Sequence, residues 1–451
     1  MRSFSRFGML AALWLAGCAA HTPPPPLAAP ALPAQWAQAS GGLDPVTQQW
    51  WQGFGSDELN TLVERAQAQS HDLAAAVARV QQAEAAARMA SAGLWPQLTV
   101  GANASREARL GGQAVVDGNT FGLALQASYE LDFWGRQRAG RDSAHATWQA
   151  SGFARDTVRL SLKASVASAW LQTVALQERA ELAERHVGIA ERLLALVMAR
   201  VRAGAAAQLD EAQQRGQLAS RQAALADVRQ QAAQARIAVQ LLLGQHEAPA
   251  IRTRSLLMLG VPAVDAGVPS QLLSRRPDIA RAEALLAAAD ADVTAARAAL
   301  LPSLDLSASL GARNGQLRQV LDSPLYALAA ALAAPIFDGG RLAAGRDQAL
   351  ARREELLATY RQAIVSALGD VEAALAALAG TRQQAEAHAQ VLAQAQRALA
   401  LAKHRYRAGA DTLMTLLDAQ RSLFAAQDEA VQLHARRLQA SVALYRALGG
   451  G

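Results

Sequence analysis

The chain has 451 residues, of which 51% are hydrophobic and only 5% aromatic, and its formal net charge is +6. This apolar content excludes a largely disordered protein, and a single cysteine excludes a disulfide framework. The slight basic excess does not indicate a nucleic-acid partner, because the arginines alternate with acidic residues and the only lysines are Lys163 and Lys403. We therefore expect an ordered protein that binds no nucleic acid.

The N-terminus has the pattern of an export signal. Residues 9–16 form an apolar run that follows two arginines. This run is too short to span a bilayer, so residues 1–17 are predicted to be a cleaved signal peptide. The motif Leu15-Ala16-Gly17-Cys18 resembles a bacterial lipobox, in which the cysteine becomes the lipidated first residue. The alternative is an ordinary cleavage site with an incidental cysteine.

The lipobox resemblance implies a covalent lipid on Cys18 as the anchor, and we expect no other cofactor. Ala19 follows the cysteine. By resemblance to other lipoproteins, the absence of Asp at that position favours sorting to the outer membrane. The segment 18–43 is rich in Pro and Ala, which predicts an extended tether behind the lipid.

The rest of the chain contains a tandem repeat. Three markers recur 205 or 206 positions apart, which is unlikely for unrelated sequence. They are Gly135-Arg136 with Gly340-Arg341, Arg202-Ala203-Gly204 with Arg407-Ala408-Gly409, and Pro96 with Pro302. We therefore predict two structural repeats, over 44–255 and 256–451.

Both repeats show the same order of elements. An Ala-rich helix, over about 57–93 and 269–299, precedes two strands and a very long helical hairpin. The strands are predicted over 96–110 and 119–132 in the first repeat, and over 302–313 and 324–337 in the second. The hairpins are predicted over 136–243 and 341–447. A helix of about 67 residues is a rod of roughly 100 Å. A soluble coiled coil would explain these rods, but not the strands between them.

The strand segments alternate between apolar and small or polar residues. One face of the second strand carries a row of apolar side chains, and the opposite face is small or polar. The apolar row consists of Phe121, Leu123, Leu125, Tyr129 and Leu131. Strands of this length can cross an outer membrane, so this row is predicted to face lipid. A soluble β-sandwich would show the same alternation. The fourth segment does not alternate clearly and is assigned by repeat symmetry.

Four strands are too few to close a barrel. A sheet that spans lipid must leave no open edge, and known barrels begin at eight strands. Two, three or four copies of the chain would supply enough strands, and the periodicity does not choose among them.

Several motifs resemble one family. The run Arg275-Arg276-Pro277-Asp278-Ile279, the junction Tyr129-Glu130-Leu131-Asp132 before Gly135-Arg136, and Arg405-Tyr406-Arg407 before Gly409 resemble the outer-membrane efflux lipoproteins of the NodT type. These are similar to the OprM-like and TolC-like channels. The resemblance covers essentially all of the mature chain.

The resemblance implies an α+β membrane protein that assembles as a homotrimer. Its long α-helical hairpins would form a periplasmic α-barrel, and its four transmembrane β-strands per chain would contribute to a shared trimeric 12-stranded β-barrel. The implied function is the exit duct of a tripartite efflux pump for small molecules such as drugs. Its partners would be a periplasmic adaptor (membrane fusion protein), an inner-membrane RND-type pump and outer-membrane lipid. The alternatives are metal-ion efflux, type I protein secretion, and a structural lipoprotein that bridges envelope layers.

Two candidate sites lie near the hairpin reversals. The triplets Arg202-Ala203-Gly204 and Arg407-Ala408-Gly409 are predicted to be the hairpin tips, which the resemblance implies contact the adaptor. Just after the second tip, helical angles place Asp411, Met414, Asp418 and Arg421 on one stripe. The opposite stripe, which is expected to pack against neighbouring helices, consists of Leu413, Leu416, Leu417, Gln420 and Phe424. The stripe is either a solvated outer face or, as the resemblance implies, a periplasmic gate in which Met414 and Asp418 point into the tunnel.

No constellation of catalytic residues is visible. The eight histidines are scattered and show no metal-ligand spacing. The adjacent acidic pairs Glu354-Glu355 and Asp428-Glu429 are typical of a solvated helix surface. We therefore expect neither an enzyme nor a metal site.

Overall fold

The structure, a computed structural model, describes residues 32–37, 47–111, 117–262 and 264–450. The expected signal peptide and Cys18 lie outside these residues. The helices are α1 (Asp57–Gln69), α2 (His71–Ala92), α3 (Arg136–Arg202), α4 (Gln208–Leu242), α5 (Leu272–Arg275), α6 (Pro277–Ala298), α7 (Arg341–Arg407) and α8 (Leu413–Ala447). The strands are β1 (Gln97–Ala108), β2 (Asp117–Glu130), β3 (Ser303–Asn314) and β4 (Pro324–Ala333). The prediction of long hairpins combined with four strands is confirmed.

The helix that opens each repeat is broken, which differs from the continuous helices expected over 57–93 and 269–299. Ser70 is extended (φ −63°, ψ 122°) and its hydroxyl accepts the N–H of Leu73 at 3.4 Å, so it ends α1 and begins α2. In the second repeat the break falls at Arg276, which is also extended (φ −84°, ψ 119°). Proline disfavours a helical conformation in the residue before it, and Pro277 follows.

The four strands form one antiparallel sheet in the order β1-β2-β3-β4. Its register aligns Val100 with Leu125, Leu125 with Leu310, and Leu310 with Tyr326. Because side chains alternate along a strand, this register gathers the apolar rows of all four strands on one face. We call it the apolar face.

The register also shows which side chains of the fourth strand lie on each face of the sheet. Tyr326, Leu328, Ala330 and Leu332 lie on the apolar face, whereas Ala327 and Ala329 lie on the opposite face with the serines of β3. The strand ends at Ala333, before the expected boundary at 337. Pro335 lacks a backbone N–H and cannot continue the ladder of hydrogen bonds.

The main core lies where the two repeats meet. Trp170 and Phe54 are fully buried in it, and the ring of Trp50 stacks on that of Tyr445, with centroids 4.9 Å apart. Part of the expected tether also contacts this body. Trp36 Nε1 donates to the carbonyl oxygen of Gly267 at 2.9 Å. Residues 32–37 are therefore held by the folded protein, since burying the indole is favourable.

Candidate gate and docking site at the hairpin tips

The two hairpins reverse through turns of the same geometry. Gly204 and Gly409 have left-handed φ angles of 72° and 69°. Immediately after them, Ala205 N–H donates to the Arg200 carbonyl at 2.8 Å, and Ala410 N–H donates to the Arg405 carbonyl at 2.9 Å. In each hairpin this hydrogen bond ends the long helix. The glycine before it adopts the left-handed conformation, which is costly for residues with a side chain. The two sequence repeats therefore share the same hydrogen-bond pattern at their tips.

The two tips pack together as one unit. A small buried cluster joins Leu193 and Val197 of α3 to Tyr406 of α7 and to Leu413 and Leu417 of α8. Arg200 also lies over the ring of Tyr406, with its guanidinium carbon 5.0 Å from the ring centroid.

The candidate docking residues lie on the outside of this unit. The six residues are exposed in the single chain: Arg202, Ala203, Gly204, Arg407, Ala408 and Gly409. They form a surface that a partner can reach.

Past the second tip, α8 has the two stripes that helical angles predict. Leu413, Leu416, Leu417 and Phe424 are buried, each less than 8% exposed. On the other side Met414 is 51% exposed, and Asp418 and Arg421 are exposed and paired, with Asp418 Oδ1 accepting from Arg421 Nη2 at 2.8 Å. The pair is open to solvent in the single chain and adds little stability there.

Asp411 is separated from this stripe, contrary to expectation. It precedes α8, so helical spacing does not apply to it. Its carboxylate accepts from Arg405 Nε at 3.1 Å and from the Thr412 N–H at 2.8 Å, which ties α7 to the start of α8. Hydrogen bonds from Thr415 and Thr412 and the charge of Arg405 lower the pKa of Asp411 below its usual value. Asp411 therefore stabilises the second tip by linking the end of α7 to the start of α8.

A second cluster farther along the hairpins was missed by the sequence analysis. The His186 ring stacks on Phe424 with centroids 3.7 Å apart, and His186 Nε2 lies 2.9 Å from Gln427 Oε1. Arg179 contacts Asp428 through two hydrogen bonds, of 2.6 and 3.0 Å. The assignment of Asp428 to a solvated surface is therefore corrected: the carboxylate links α8 to α3.

Arg221 of α4 completes this cluster. Its guanidinium carbon lies 5.2 Å from the centroid of Phe424, and the side chains surround a cavity of about 240 Å³. Burial lowers the pKa of Arg221, and the charge of Arg421 lowers it further. We call the group formed by Arg179, His186, Arg221, Phe424 and Asp428 the hairpin clamp. Only Phe424 carried a sequence signal, as a member of the apolar stripe.

The apolar row of β2 lies as expected along one face. Phe121, Leu123, Leu125 and Tyr129 share the apolar face, and Leu131 follows the end of the strand. Leu123 and Leu125 remain 42% and 41% exposed in the single chain. A water-soluble monomer rarely leaves such a continuous apolar area uncovered.

Aromatic and charged side chains mark the end of the sheet that joins the helices. Trp95 and Phe133 are 73% and 66% exposed. Beside them Trp134 Nε1 donates to the Pro302 carbonyl at 2.8 Å, and Arg138 pairs with Asp132 at 3.0 Å. Aromatic rings next to ion pairs are typical of a membrane–water interface.

Among the described residues, no group of three or more His, Cys, Asp or Glu side chains is placed to hold a metal ion. The structure instead combines a sheet that has one exposed apolar face with very long helical hairpins. This combination defines an outer-membrane channel of the TolC-like class. The family comparison agrees. Residues 62–245 and 268–450 match the outer membrane efflux protein family, to which this chain belongs.

Relatives are similar over almost their whole length. The chain is 46% identical to the pyoverdine export outer membrane protein OpmQ of Pseudomonas aeruginosa, covering 100% of this chain and 97% of the relative. It is 32% identical to the cation efflux system protein CusC of Escherichia coli, covering 98% and 97%. A crystal structure of CusC superposes with a TM-score of 0.85 at 30% identity, covering 94% of this chain and 100% of the other.

These findings fix the class of the protein. It is an outer-membrane efflux channel, and its family consists of export channels and not of enzymes. The prediction of a transport channel over a catalytic role is confirmed.

Proposed function

We propose that three copies of the chain close one barrel in the outer membrane. The observation that carries this proposal is the open sheet, in which β1 and β4 are the two edges among the described strands. Open edges are not tolerated in lipid. Because each chain supplies an even number of antiparallel strands, β4 of one copy lies antiparallel to β1 of the next, and the alternation continues around the ring. Three copies, as in the resembling family, give twelve strands.

The lipid on Cys18 would be a second anchor. One acyl chain holds a protein to a membrane only reversibly, and the barrel itself supplies the permanent attachment. The variant Cys18→Ser should therefore lose incorporation of labelled fatty acid while the trimer persists. Continued labelling of Cys18→Ser would overturn the lipid assignment.

The partners would be a periplasmic adaptor and an RND-type inner-membrane pump. The exposed tip triplets supply the docking surface, because both turns are presented by one packed unit. Photocrosslinkers placed at Ala203 and Ala408 should capture the adaptor in cells. Capture from an exposed strand position only would contradict docking at the tips.

The gate would lie at Met414, Asp418 and Arg421. In a trimer, three copies of this exposed stripe would converge around the axis. A ring of carboxylates favours cations over anions. Arg421, which pairs with Asp418 of its own helix, would offset the repulsion among the three carboxylates in the closed state.

For the cargo we propose a siderophore of the pyoverdine type. The support is the 46% identity to a pyoverdine export protein, compared with 32% to a cation efflux protein and 31% to a toluene efflux protein. A metal cation is the second candidate. The described residues contain no cluster of metal ligands that would add support to it.

Complementation separates the two cargoes. The chain is expressed in a strain that lacks its own pyoverdine-export channel and, in parallel, in a strain that lacks its cation-efflux channel. We expect pyoverdine to return to the culture medium and cation tolerance to remain low. Restored tolerance without restored pyoverdine export would select the second candidate.

A further inference from the structure

The connection between β3 and β4 folds back onto the sheet. It contains a 3-10 helix, Leu317–Asp322, which we call the rim helix. Val320 of this helix and Ala312 of β3 are each only 8% exposed, whereas Leu310, on the same face, is 56% exposed. The Asn314 side-chain amide also donates to the Gln319 carbonyl at 3.2 Å, which holds the helix against the end of β3. The rim helix therefore covers the apolar face locally.

A cavity of about 420 Å³ remains between the rim helix and the first two strands. Its lining residues are apolar except for Asn103, and the register places the Asn103 side chain on the opposite face of the sheet, beside Gly122. The full lining is Ala102, Asn103, Ala104, Phe121, Gly122, Leu123, Leu317, Val320 and Leu321. The register assigns Ala102, Ala104, Phe121 and Leu123 to the apolar face. The cavity, which we call the rim slot, thus opens on the side of the sheet that carries the exposed leucines.

We propose that the rim slot holds an acyl chain of an outer-leaflet membrane lipid. The slot is continuous with the apolar face, which must contact lipid once the sheet closes into a barrel. Leu317 and Leu321 are 69% and 71% exposed at its mouth, a costly arrangement in water but a favourable one in hydrocarbon. This inference rests on the proposed barrel.

Basic residues flank the slot at the end of the sheet that lies away from the long helices. Arg106 continues the apolar face of β1 beyond Ala104, and Arg318 is an exposed residue of the rim helix. Arginine beside apolar surface extends its charged end toward the interface, where anionic headgroups attract it. The connection lies at the end of the sheet opposite the long helices, so these headgroups belong to the outer leaflet.

Spin-label accessibility tests where the rim helix lies. Nitroxide labels are attached to Leu317→Cys and Leu321→Cys in a Cys18→Ser background, with the trimer in phosphatidylcholine vesicles. Leu125→Cys serves as the lipid-facing control and Gln126→Cys as the control for the opposite face. We expect the rim labels to collide with lipid-soluble oxygen more than with a water-soluble nickel chelate, as Leu125→Cys does. Preferential collision with the chelate would place the helix in water, and exclusion of both reagents would place it against a neighbouring copy. Either result overturns the proposal while Leu125→Cys still reports an intact barrel.

A matched pair of substitutions tests occupancy of the slot. Vesicles contain a phosphatidylcholine with a photoreactive group on its acyl chain, and crosslinks are mapped to the rim helix. Ala104→Phe fills the slot, whereas Ser105→Phe adds the same ring to the opposite face of the same strand. We expect Ala104→Phe to lower the crosslinking yield severalfold and Ser105→Phe to leave it unchanged, with both variants still trimeric on a gel. Equal yields in the two variants would overturn the proposal.

Discussion

Arg179 and Asp428 join the two repeats through two hydrogen bonds of 2.6 and 3.0 Å, although 249 positions separate them in sequence. The side chains of the arginine and the aspartate are 19% and 36% exposed. A pair this well oriented and partly shielded from water fixes the spacing of α3 and α8 above the tips. The hairpin clamp therefore holds the two hairpins in register together with the buried cluster at the tips.

Breaking this pair should loosen the hairpins. We expect Arg179→Gln to cost between the ~1 kcal/mol of an exposed pair and the ~3 kcal/mol of a buried one. Native-state proteolysis of the helices should reveal the loss as faster cleavage. Arg229→Gln breaks the more exposed pair with Glu184, whose side chains are 59% and 50% exposed, and should change cleavage little. Equal increases in cleavage rate for the two substitutions would contradict a greater contribution of the Arg179–Asp428 pair to the stability of the hairpins.

The clamp should also weaken in acid through His186. Burial lowers the pKa of His186 from its usual 6.5; the charges of Arg221 and Arg185 act in the same direction, against the hydrogen bond to Gln427 and the charge of Asp428. The folded protein then binds fewer protons than the unfolded chain. The clamp is therefore fully stable above pH 6.5 and loses stability as the pH falls through 6.5 toward the lower folded-state pKa.

Hydrogen exchange in α3 and α8, corrected for the intrinsic pH dependence of exchange, measures this loss. His186→Phe keeps an aromatic ring on Phe424 but cannot titrate, so the pH dependence of local opening should disappear. Substitution of the exposed His71 should leave it in place. Persistence of the full pH dependence in His186→Phe would assign it to another group.

Arginine substitutions on adjacent residues of β2 should distinguish the two faces of the sheet. Leu125 lies on the apolar face and Gln126 on the opposite one. We expect Leu125→Arg to destabilise the barrel by ~2–4 kcal/mol if it lies near the membrane midplane, and Gln126→Arg to have a much smaller effect. The temperature at which the trimer dissociates on a gel measures both. A larger effect of Gln126→Arg would reverse the assignment of the faces.

Bulky residues at the tips should block docking without disturbing assembly. Ala203 and Ala408 are exposed, so Ala203→Trp combined with Ala408→Trp has room for the indoles in the single chain. Export of the cargo should be lost while the trimer persists on a native gel. Ala223→Trp, at an exposed position of α4, is the control. Normal export by the doubly substituted tips would contradict their role in docking.

The architecture was predictable because it depends on regular patterns. Strand alternation, proline boundaries and the 205-residue repeat located the hairpins and all four strands, and the glycine at each reversal marked the tips. The buried stripe of Leu413, Leu416 and Leu417 followed from helical periodicity alone. Each of these signals is local or repeats at a fixed interval.

The remaining features depend on contacts between distant segments. Nothing local to Asp428 indicates that Arg179 lies beside it, and nothing local to His186 indicates its stacking on Phe424. Asp411 was misplaced because the helix begins two residues later, at Leu413. The rim helix was unforeseen since Leu317–Asp322 is too short for a periodic pattern to stand out.

The conductance of single trimers in a planar lipid bilayer tests the central claim most directly. We expect the unmodified protein to conduct weakly with a preference for cations, because the proposed gate of Met414, Asp418 and Arg421 would narrow the channel at the tips. The double substitution Asp418→Ala with Arg421→Ala should raise the conductance and weaken the cation preference, with trimer stability almost unchanged. An identical conductance and ion selectivity in the two proteins would contradict a gate at this stripe, and the absence of any conductance from intact trimers would contradict the channel itself.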